Sequence, residues 1–387
     1  MQSVLQLPPP PDELLQLSHR LGERIIDEIR SHGPMPFDRY MQMALYEPSL
    51  GYYVNGLHKF GAQGDFVTAP EQGPLFARVL AKQIQQVVSE SDMHQAPWAI
   101  LELGAGSGVL ARDILAHLDT LPSPYWILEP SAFLREVQKK TLEQAGLAEH
   151  VMWLNEPPEK PFNGVVIGNE VIDALPVKRW RLAATGIEEL AVGLEQSDSD
   201  RVFRWVSIPA SKRLTDVMDP IIKRLPHQLP QGYESDCLVD LKPWLKEVTH
   251  SLESGVVLLI DYGYDEINYY HPERSEGTVV CHYRHRAHFD PFVWPGLTDL
   301  SAFVNFTAVA EAATSFDRVE WTSQAEFVLS HGVHHEVADI ADDATRLSAL
   351  SELKRLTLPG EMGEKFKVMG LTRGNLPLMK GFSGSIE

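Results

Sequence analysis

A glycine-rich turn between a strand pattern and a helix pattern constrains this chain more than any other feature. Residues 98–103 have the length and apolarity of a buried parallel strand, and apolar residues recur at helical spacing over 109–118. The turn between them follows Glu102 and contains Gly104, Ala105, Gly106 and Gly108. Glycines lack a Cβ atom, so main chain and ligand approach closely at such a junction in an open α/β sheet. The turn therefore predicts a nucleoside-binding site.

The spacing of the glycines favours one kind of nucleoside. The dinucleotide fingerprint needs a third glycine at its sixth position, which is occupied here by Val109. This departure disfavours a nicotinamide oxidoreductase. Glu102 beside the turn suits the cationic sulfonium and amino groups of S-adenosylmethionine, which carries no phosphate. We therefore predict S-adenosylmethionine as the cofactor.

A second acid follows the next strand pattern. Residues 125–129 form a short apolar run that ends in Glu129, and a helical pattern follows it. An acid about 20 residues beyond the glycines accepts hydrogen bonds from ribose hydroxyls in nucleoside-binding sheets. Glu129 or Ser131 could instead serve only to cap the helix that follows. Both interpretations stay open at this point.

The loop after the third strand pattern is the richest in reactive side chains. Asn169, Glu170 and Asp173 follow the apolar run 164–168, and Pro176 discourages a long helix there. We expect these groups to face the ligand crevice, with Asn169 toward the cofactor and the two carboxylates in catalysis. Asn169 and Asp173 could alternatively bond local backbone as turn formers.

Charge and composition exclude several classes of function. The chain has 387 residues and a net charge of −19, which makes general binding to nucleic acid improbable. Its two cysteines form no disulfide framework, and its histidines show no zinc-ligand pattern, so we expect no metal. Apolar runs are too short to span a bilayer. The N-terminus shows no secretory or organellar leader pattern, which predicts a cytoplasmic location.

The order of the patterns predicts a fold and a domain division. Strand and helix patterns alternate from residue 98 to about 180, and a strand pattern resumes at 256–261, which indicates parallel strands with right-handed crossovers. We predict an α/β, Rossmann-like, doubly wound methyltransferase domain over 98–180 and 255–387. Residues 1–97 would form an N-terminal helical extension with an active-site loop, and 181–254 an inserted subdomain.

A set of motifs in order along the chain resembles the MidA family of class I methyltransferases. The motifs include Gly64-Asp-Phe66, Glu102-Leu-Gly-Ala-Gly-Ser-Gly108, Leu128-Glu-Pro-Ser131, Asn169-Glu-Val-Ile-Asp173, Ile260-Asp-Tyr-Gly-Tyr264 and Arg274-Ser-Glu-Gly-Thr278. The resemblance implies an S-adenosylmethionine-dependent enzyme. Mitochondrial members methylate protein arginine and assist assembly of respiratory NADH dehydrogenase. It further implies an active-site loop that includes Asp65, Thr68 and Glu71.

The sequence leaves other functions open. A methyltransferase that acts on a small molecule would need the same cofactor turn. A non-catalytic assembly factor that binds the cofactor would need it as well. We favour methylation of arginine in a protein partner, and the pattern leaves a homo-oligomer open.

Overall fold

The computed structural model describes residues 7–57, 69–195 and 202–382. Its α-helices are α1 (Asp12–His32), α2 (Phe37–Tyr46), α3 (Ala69–Gln72), α4 (Leu75–Ser89), α5 (Val109–His117), α6 (Ala132–Gln144), α7 (Lys212–Arg224), α8 (Leu241–Thr249), α9 (Glu266–Tyr269), α10 (Phe306–Ala312), α11 (Gln324–Ser330), α12 (Val333–Ala338) and α13 (Asp343–Thr357). Its strands are β1 (Met35–Pro36), β2 (Ala99–Leu103), β3 (Tyr125–Leu128), β4 (Val151–Leu154), β5 (Phe162–Asn169), β6 (Lys178–Ala183), β7 (Gly186–Leu194), β8 (Phe203–Pro209), β9 (Glu234–Cys237), β10 (Leu252–Tyr264), β11 (Val279–Tyr283), β12 (Arg286–His288), β13 (Asp299–Ala302), β14 (Val304–Asn305), β15 (Arg318–Ser323) and β16 (Phe366–Arg373).

The chain divides into two compact units that alternate along the sequence. The first comprises Met1–Phe66, Asp173–Leu241 and Tyr264–Asn305, and the second comprises Val67–Ile172, Lys242–Gly263 and Phe306–Glu387. This division differs from the predicted one at residues 67–97, 173–180, 242–254 and 264–305. The packing gives the reason, because α4 packs against α5 and because β11, β12 and β13 form a sheet of their own. Independent folding of the predicted domains stays a prediction.

The second unit is built on a mixed sheet with the strand order β15-β16-β10-β5-β2-β3-β4. The strands from β10 to β4 run parallel, whereas β16 runs antiparallel to both β10 and β15. Every residue of β2 is buried, as is typical of a parallel strand covered on both faces. This sheet confirms the predicted α/β fold with its methyltransferase-type doubly wound arrangement.

Helices of the second unit bury one face each in a shared apolar core. Leu80 and Ile84 of α4, with Ile114 of α5, pack in one cluster with Ile100 and Val165 of the sheet. The burial of such side chains contributes about 1.5–3 kcal/mol each relative to exposure. This core holds the carboxyl ends of β2, β3 and β5 in place at one edge of the sheet.

The first unit combines helices with two antiparallel sheets. One sheet has the order β1-β7-β6-β9 with β8 paired to β7, and the other has the order β12-β11-β13. Leu21 and Ile25 of α1 pack with Phe37 of α2 in its apolar core. Lys178 of β6 is buried between Asp38 and Glu189, with Nζ–oxygen distances of 2.9 Å and 2.7 Å.

The structure corrects two local predictions. Residues 281–285 have a polar and aromatic sequence that is typical of a loop, yet β11 extends to Tyr283 with alternating burial, because Cys281 packs in the core of the first unit. The sequence pattern over 238–252 predicts a helix, but α8 ends at Thr249 and Leu252 begins β10. The strand and helix patterns from residue 98 to 169 are confirmed, with small shifts at their ends.

Candidate functional site

The glycine turn joins β2 to α5 at the carboxyl edge of the parallel strands. The Gly104 N–H donates to the Leu128 carbonyl (3.0 Å), and the Gly108 N–H donates to the Ala105 carbonyl (2.7 Å). Gly104, Gly106 and Gly108 have φ angles of 58°, 53° and 82°, in a left-handed region that other residues rarely adopt. The conformation of the turn therefore favours glycine at all three positions.

The turn packs against α6 on one side and is open on the other. A Cβ atom on Gly108 would lie 3.0 Å from Cα of Gln138, whereas one on Gly104 would meet, among the described residues, only Cγ1 of Val171, at 3.6 Å. Gly104 is exposed. The main chain is thus accessible to a ligand at Gly104, which fits a nucleoside that lies against the backbone.

Glu102 lies beneath the turn as the last residue but one of β2. Its side chain is 1% exposed and accepts a hydrogen bond from the Tyr125 hydroxyl at 2.6 Å. Burial raises the pKa of Glu102 to about 7, and the Tyr125 hydrogen bond opposes this rise. At neutral pH a large share of Glu102 is protonated. Its attraction for a cation is therefore weaker than the sequence analysis assumed, and its role in cofactor binding stays a prediction.

Glu129 follows β3 and has both carboxylate oxygens engaged. Its Oε1 accepts a hydrogen bond from the Ser131 N–H (2.9 Å), and its Oε2 accepts one from Nε2 of Gln138 (3.0 Å). Burial raises the pKa of Glu129 above its ordinary value, and the two hydrogen bonds and the charge of Arg135 offset only part of this rise. The Ser131 side chain caps α6, so the capping function falls to Ser131. Each oxygen of Glu129 keeps further acceptor capacity for a ribose hydroxyl.

Gln138 is a site residue that the sequence analysis missed. It lies on α6 between Leu134 and Leu142, and these three form the buried face of that helix. A single polar residue on an otherwise apolar stripe was the available signal. Its amide contacts both the glycine turn and Glu129.

The loop after β5 carries Glu170 in an unusual backbone conformation. Glu170 has a φ of 52°, which is uncommon for a residue other than glycine and is typical of functional positions. Its N–H donates to the Ile260 carbonyl at 2.8 Å, and the N–H of Ile172 donates to Oδ2 of Asp261 at 3.0 Å. Asp261 is fully buried, and its Oδ1 accepts the N–H of Tyr262 at 2.9 Å. Two residues of β10 therefore fix this loop, and Asp261 is a second residue without a predicted role.

Asn169 ends β5 next to the glycine turn. β5 pairs with β2 so that Gly168 lies opposite Leu103, which places Asn169 and Gly104 one residue beyond a paired position. Nδ2 of Asn169 donates to Oε1 of Glu170 at 3.3 Å. Its Oδ1 is buried without a hydrogen-bond partner among the residues that the structure describes. A buried acceptor of this kind is suited to a donor group of a ligand.

Glu71 reaches the glycine turn from α3. Its Oε1 accepts a hydrogen bond from the hydroxyl of Ser107, inside the turn. The structure therefore brings the predicted loop residue Glu71 to the predicted cofactor turn. Asp65 and Thr68, the other two predicted loop residues, lie outside the described residues.

Asp173, the second predicted catalytic carboxylate, belongs to the first unit. It is 8% exposed, and its backbone carbonyl accepts the N–H of Ala302 at 2.9 Å. Burial and the charges of Asp299 and Asp173 raise the pKa of Tyr53. The hydroxyl of Tyr53 donates to Oδ1 of Asp299 at 3.1 Å. The other predicted site residues that the structure describes lie in the second unit.

The sheet and its turn define a class of protein. A parallel sheet whose first strand runs into a glycine turn, whose second strand is followed by an acid, and which has one antiparallel strand inserted next to its edge strand is the arrangement of class I methyltransferases. Here β2, β3 and β16 take these positions.

Comparison with known proteins gives the family. The model of a family described as "Putative S-adenosyl-L-methionine-dependent methyltransferase" matches residues 79–323. The chain belongs to this family, and the MidA resemblance is confirmed. Two relatives are named "Protein arginine methyltransferase NDUFAF7 homolog, mitochondrial" and "Protein arginine methyltransferase NDUFAF7, mitochondrial". The Drosophila melanogaster protein is 26% identical over 92% of this chain and 85% of its own length. The human protein is 25% identical over 89% and 81%.

Solved structures agree with this assignment. A COG1565 superfamily member from Burkholderia thailandensis, crystallised with S-adenosyl-homocysteine, has a TM-score of 0.90 and 37% identity over 98% of both chains. A second crystal structure from that organism, of an uncharacterised protein of the superfamily, has a TM-score of 0.87 and 36% identity over 98% of both chains. The predicted cofactor, S-adenosylmethionine, and the predicted methyltransferase class are confirmed.

The predicted cytoplasmic location is wrong. It was based on the absence of a leader pattern, but relatives such as the Drosophila melanogaster, mouse and human proteins are mitochondrial by name. The absence of a recognisable leader was not a sufficient basis for assigning a compartment. No helix in the described part of the chain is long and apolar enough to cross a bilayer.

Proposed function

We propose that this protein methylates arginine side chains of a partner protein with S-adenosylmethionine as methyl donor. The observation that carries the proposal is Glu170, a carboxylate on strained backbone in the loop that borders the glycine turn. The names of the relatives in Drosophila and human supply the acceptor, since both are called protein arginine methyltransferases. On the MidA resemblance, we extend the proposal to assembly of respiratory NADH dehydrogenase.

In this proposal the second unit holds the cofactor. Gly104, Ala105, Gly106 and Gly108 receive it along their main chain, Glu129 receives the ribose hydroxyls, and Asn169 offers its buried Oδ1 to a donor of the ligand. Glu102, near the end of β2, is assigned to cofactor binding, and Glu71 contacts the turn through Ser107. The cofactor supplies a methyl group that its sulfonium already activates.

The task left to the protein is orientation of the acceptor. Guanidinium has a pKa above about 12, so its nitrogens have no free lone pair in the ground state. A carboxylate pairs with two N–H groups of the guanidinium and so orients the attacking nitrogen. As the N–CH3 bond forms and the S–CH3 bond breaks, the sulfur keeps the electron pair and the nitrogen loses a proton to a carboxylate. We assign this role to Glu170, with Asp173 as the second proposed carboxylate.

Glu170→Gln tests this role. We expect the variant to bind S-adenosyl-homocysteine with unchanged affinity and to lose methyl transfer by about a hundredfold, the lower range of general-base contributions. Glu253→Gln, at an exposed glutamate, is the matched control and should leave both values unchanged. Retained turnover in Glu170→Gln would reject the assignment.

The acceptor is found with labelled cofactor. Purified protein is incubated with S-adenosylmethionine carrying a labelled methyl group and with an extract of cells that lack the protein, and the labelled site is mapped by mass spectrometry. Label on an arginine of a protein supports the proposal, and loss of label with Gly106→Val assigns it to this turn. Label only on a small molecule refutes arginine as the acceptor. Catalysis is refuted if no label appears and if the Gly106→Val variant fully complements cells that lack the protein.

A further inference from the structure

Gln138 connects the two halves of the proposed cofactor site within the second unit. It is fully buried on α6. Its Nε2 lies 3.1 Å from the Gly106 carbonyl and 3.0 Å from Oε2 of Glu129, and its Oε1 lies 2.9 Å from the indole nitrogen of Trp153. The amide of Gln138 thus contacts the glycine turn, Glu129 and β4.

The orientation of this amide follows from its partners. The Trp153 indole N–H can only donate, so the oxygen of the Gln138 amide must face it. Both N–H groups of the amide then point toward acceptors, which are the Gly106 carbonyl and the Glu129 carboxylate. Flipping the amide would place its NH2 group against a donor and its oxygen against two acceptors.

The hydrogen bond from Gln138 to Glu129 orients the carboxylate and thereby the lone pairs that remain available for a ligand. Oε1 is held by the Ser131 N–H and Oε2 by Gln138, so the plane of the carboxylate is fixed. The charged groups near this carboxylate are Arg135 and, at longer range, Glu102. Without the Gln138 donor, Oε2 would be buried with one fewer hydrogen bond.

The contact with Gly106 acts on the turn itself. Gly106 has a φ of 53°, and its carbonyl is held by the amide of Gln138. The backbone of Gln138 also approaches Gly108 closely, since a Cβ atom on Gly108 would lie only 3.0 Å from Cα of Gln138. The side chain and the backbone of one residue therefore hold the turn at two places.

We propose that Gln138 is a positioning residue that holds the glycine turn and Glu129 at a fixed separation and thereby preorganises both for the adenosine part of the cofactor. This inference rests on the cofactor site proposed above. It assigns to Gln138 no contact with the reacting methyl group.

Gln138→Met tests the proposal, because methionine has similar length and no polar group. Calorimetry with S-adenosyl-homocysteine at pH 6.5 and 8.5 measures the dissociation constant, and thermal unfolding checks the fold. We expect about tenfold weaker binding at pH 8.5, the factor carried by a hydrogen bond to a charged group. Gln144→Met, at an exposed position on the same helix, should bind as the wild type does.

The pH dependence separates positioning from a general structural effect. Loss of a donor to a carboxylate raises the pKa of that carboxylate, so more Glu129 is neutral at low pH. The defect of Gln138→Met should therefore be larger at pH 6.5 than at pH 8.5. Glu129→Gln cannot ionise, and adding it to Gln138→Met should remove this extra dependence.

A second variant keeps the test decisive if Gln138→Met does not fold. Trp153→Phe removes the N–H that orients the amide and leaves Gln138, Gly106 and Glu129 in place. It should weaken binding with the same direction of pH dependence. If the wild type binds and the folded variants bind equally well with its pH profile, the inference is refuted while the proposed function stands. If the wild type does not bind S-adenosyl-homocysteine, the proposed function itself is refuted.

Discussion

Replacing Glu102 by glutamine should make the protein more stable, and increasingly so as the pH rises. The wild-type carboxyl is buried beneath the glycine turn and accepts a hydrogen bond from the Tyr125 hydroxyl. Glutamine keeps an oxygen that accepts this hydrogen bond and has nearly the same volume. The substitution therefore removes the cost of ionising a buried carboxyl without opening a cavity.

The magnitude follows from the pKa. Glu102 has a pKa of about 7 in the folded protein, against an ordinary value of 4.5. Below the ordinary value both states are protonated and the group costs nothing. Between the two values the unfolded chain releases the proton first, so folding stability falls as the pH rises, and above the folded value the full penalty applies. At 1.36 kcal/mol per pKa unit, the penalty reaches about 3 kcal/mol.

Urea unfolding at pH 5.5, 7.0 and 8.5 measures the difference in unfolding free energy between Glu102→Gln and the wild type. We expect the advantage of the variant to grow by about 2 kcal/mol between pH 5.5 and 8.5, because the shift from pH 5.5 to the folded pKa spans that much free energy. The exposed control Glu253→Gln should show a difference that does not vary with pH. A flat difference for Glu102→Gln would falsify the view that this carboxyl is held in an environment that disfavours its charge.

Two further predictions concern the turn and the loop that borders it. Gly108→Ala should destabilise the protein by about 2 kcal/mol, since left-handed backbone is costly for alanine and its Cβ would lie 3.0 Å from Cα of Gln138. Binding of S-adenosyl-homocysteine should weaken in parallel. A variant that binds this ligand normally would contradict the geometry of the turn. Asp261→Asn should lower the free energy of unfolding by about 1–3 kcal/mol, because asparagine offers one acceptor oxygen to two backbone N–H groups. Methyl transfer should fall with it. Full activity would show that the loop after β5 does not depend on this carboxylate.

The sequence was most informative where local pattern and global fold agree. β2, the glycine turn and α5 were all predictable, because a fully buried parallel strand is a continuous apolar run and a left-handed turn demands glycine. Glu129 was predictable for the same reason, since it comes directly after the next strand. The parallel arrangement of β2, β3 and β5 followed from the alternation of strand and helix patterns.

Other elements could not be predicted from local patterns. The end of β11 was interpreted as a loop because residues 281–285 are polar and aromatic, and its pairing partners β12 and β13 come later in the chain. Asp261 was visible at the end of β10, but its two hydrogen bonds to backbone N–H groups depend on a loop from elsewhere in the chain.

By itself the sequence determined the class of this protein, the place of its glycine turn and the acids that follow the strands, because these depend on periodicity and on the backbone freedom of glycine. Tertiary structure alone decided the burial of Glu102, the strain at Glu170 and the hydrogen bonds of Gln138. Burial, hydrogen-bond partners and dihedral angles are set by residues distant in sequence, and no local pattern records which of them will meet.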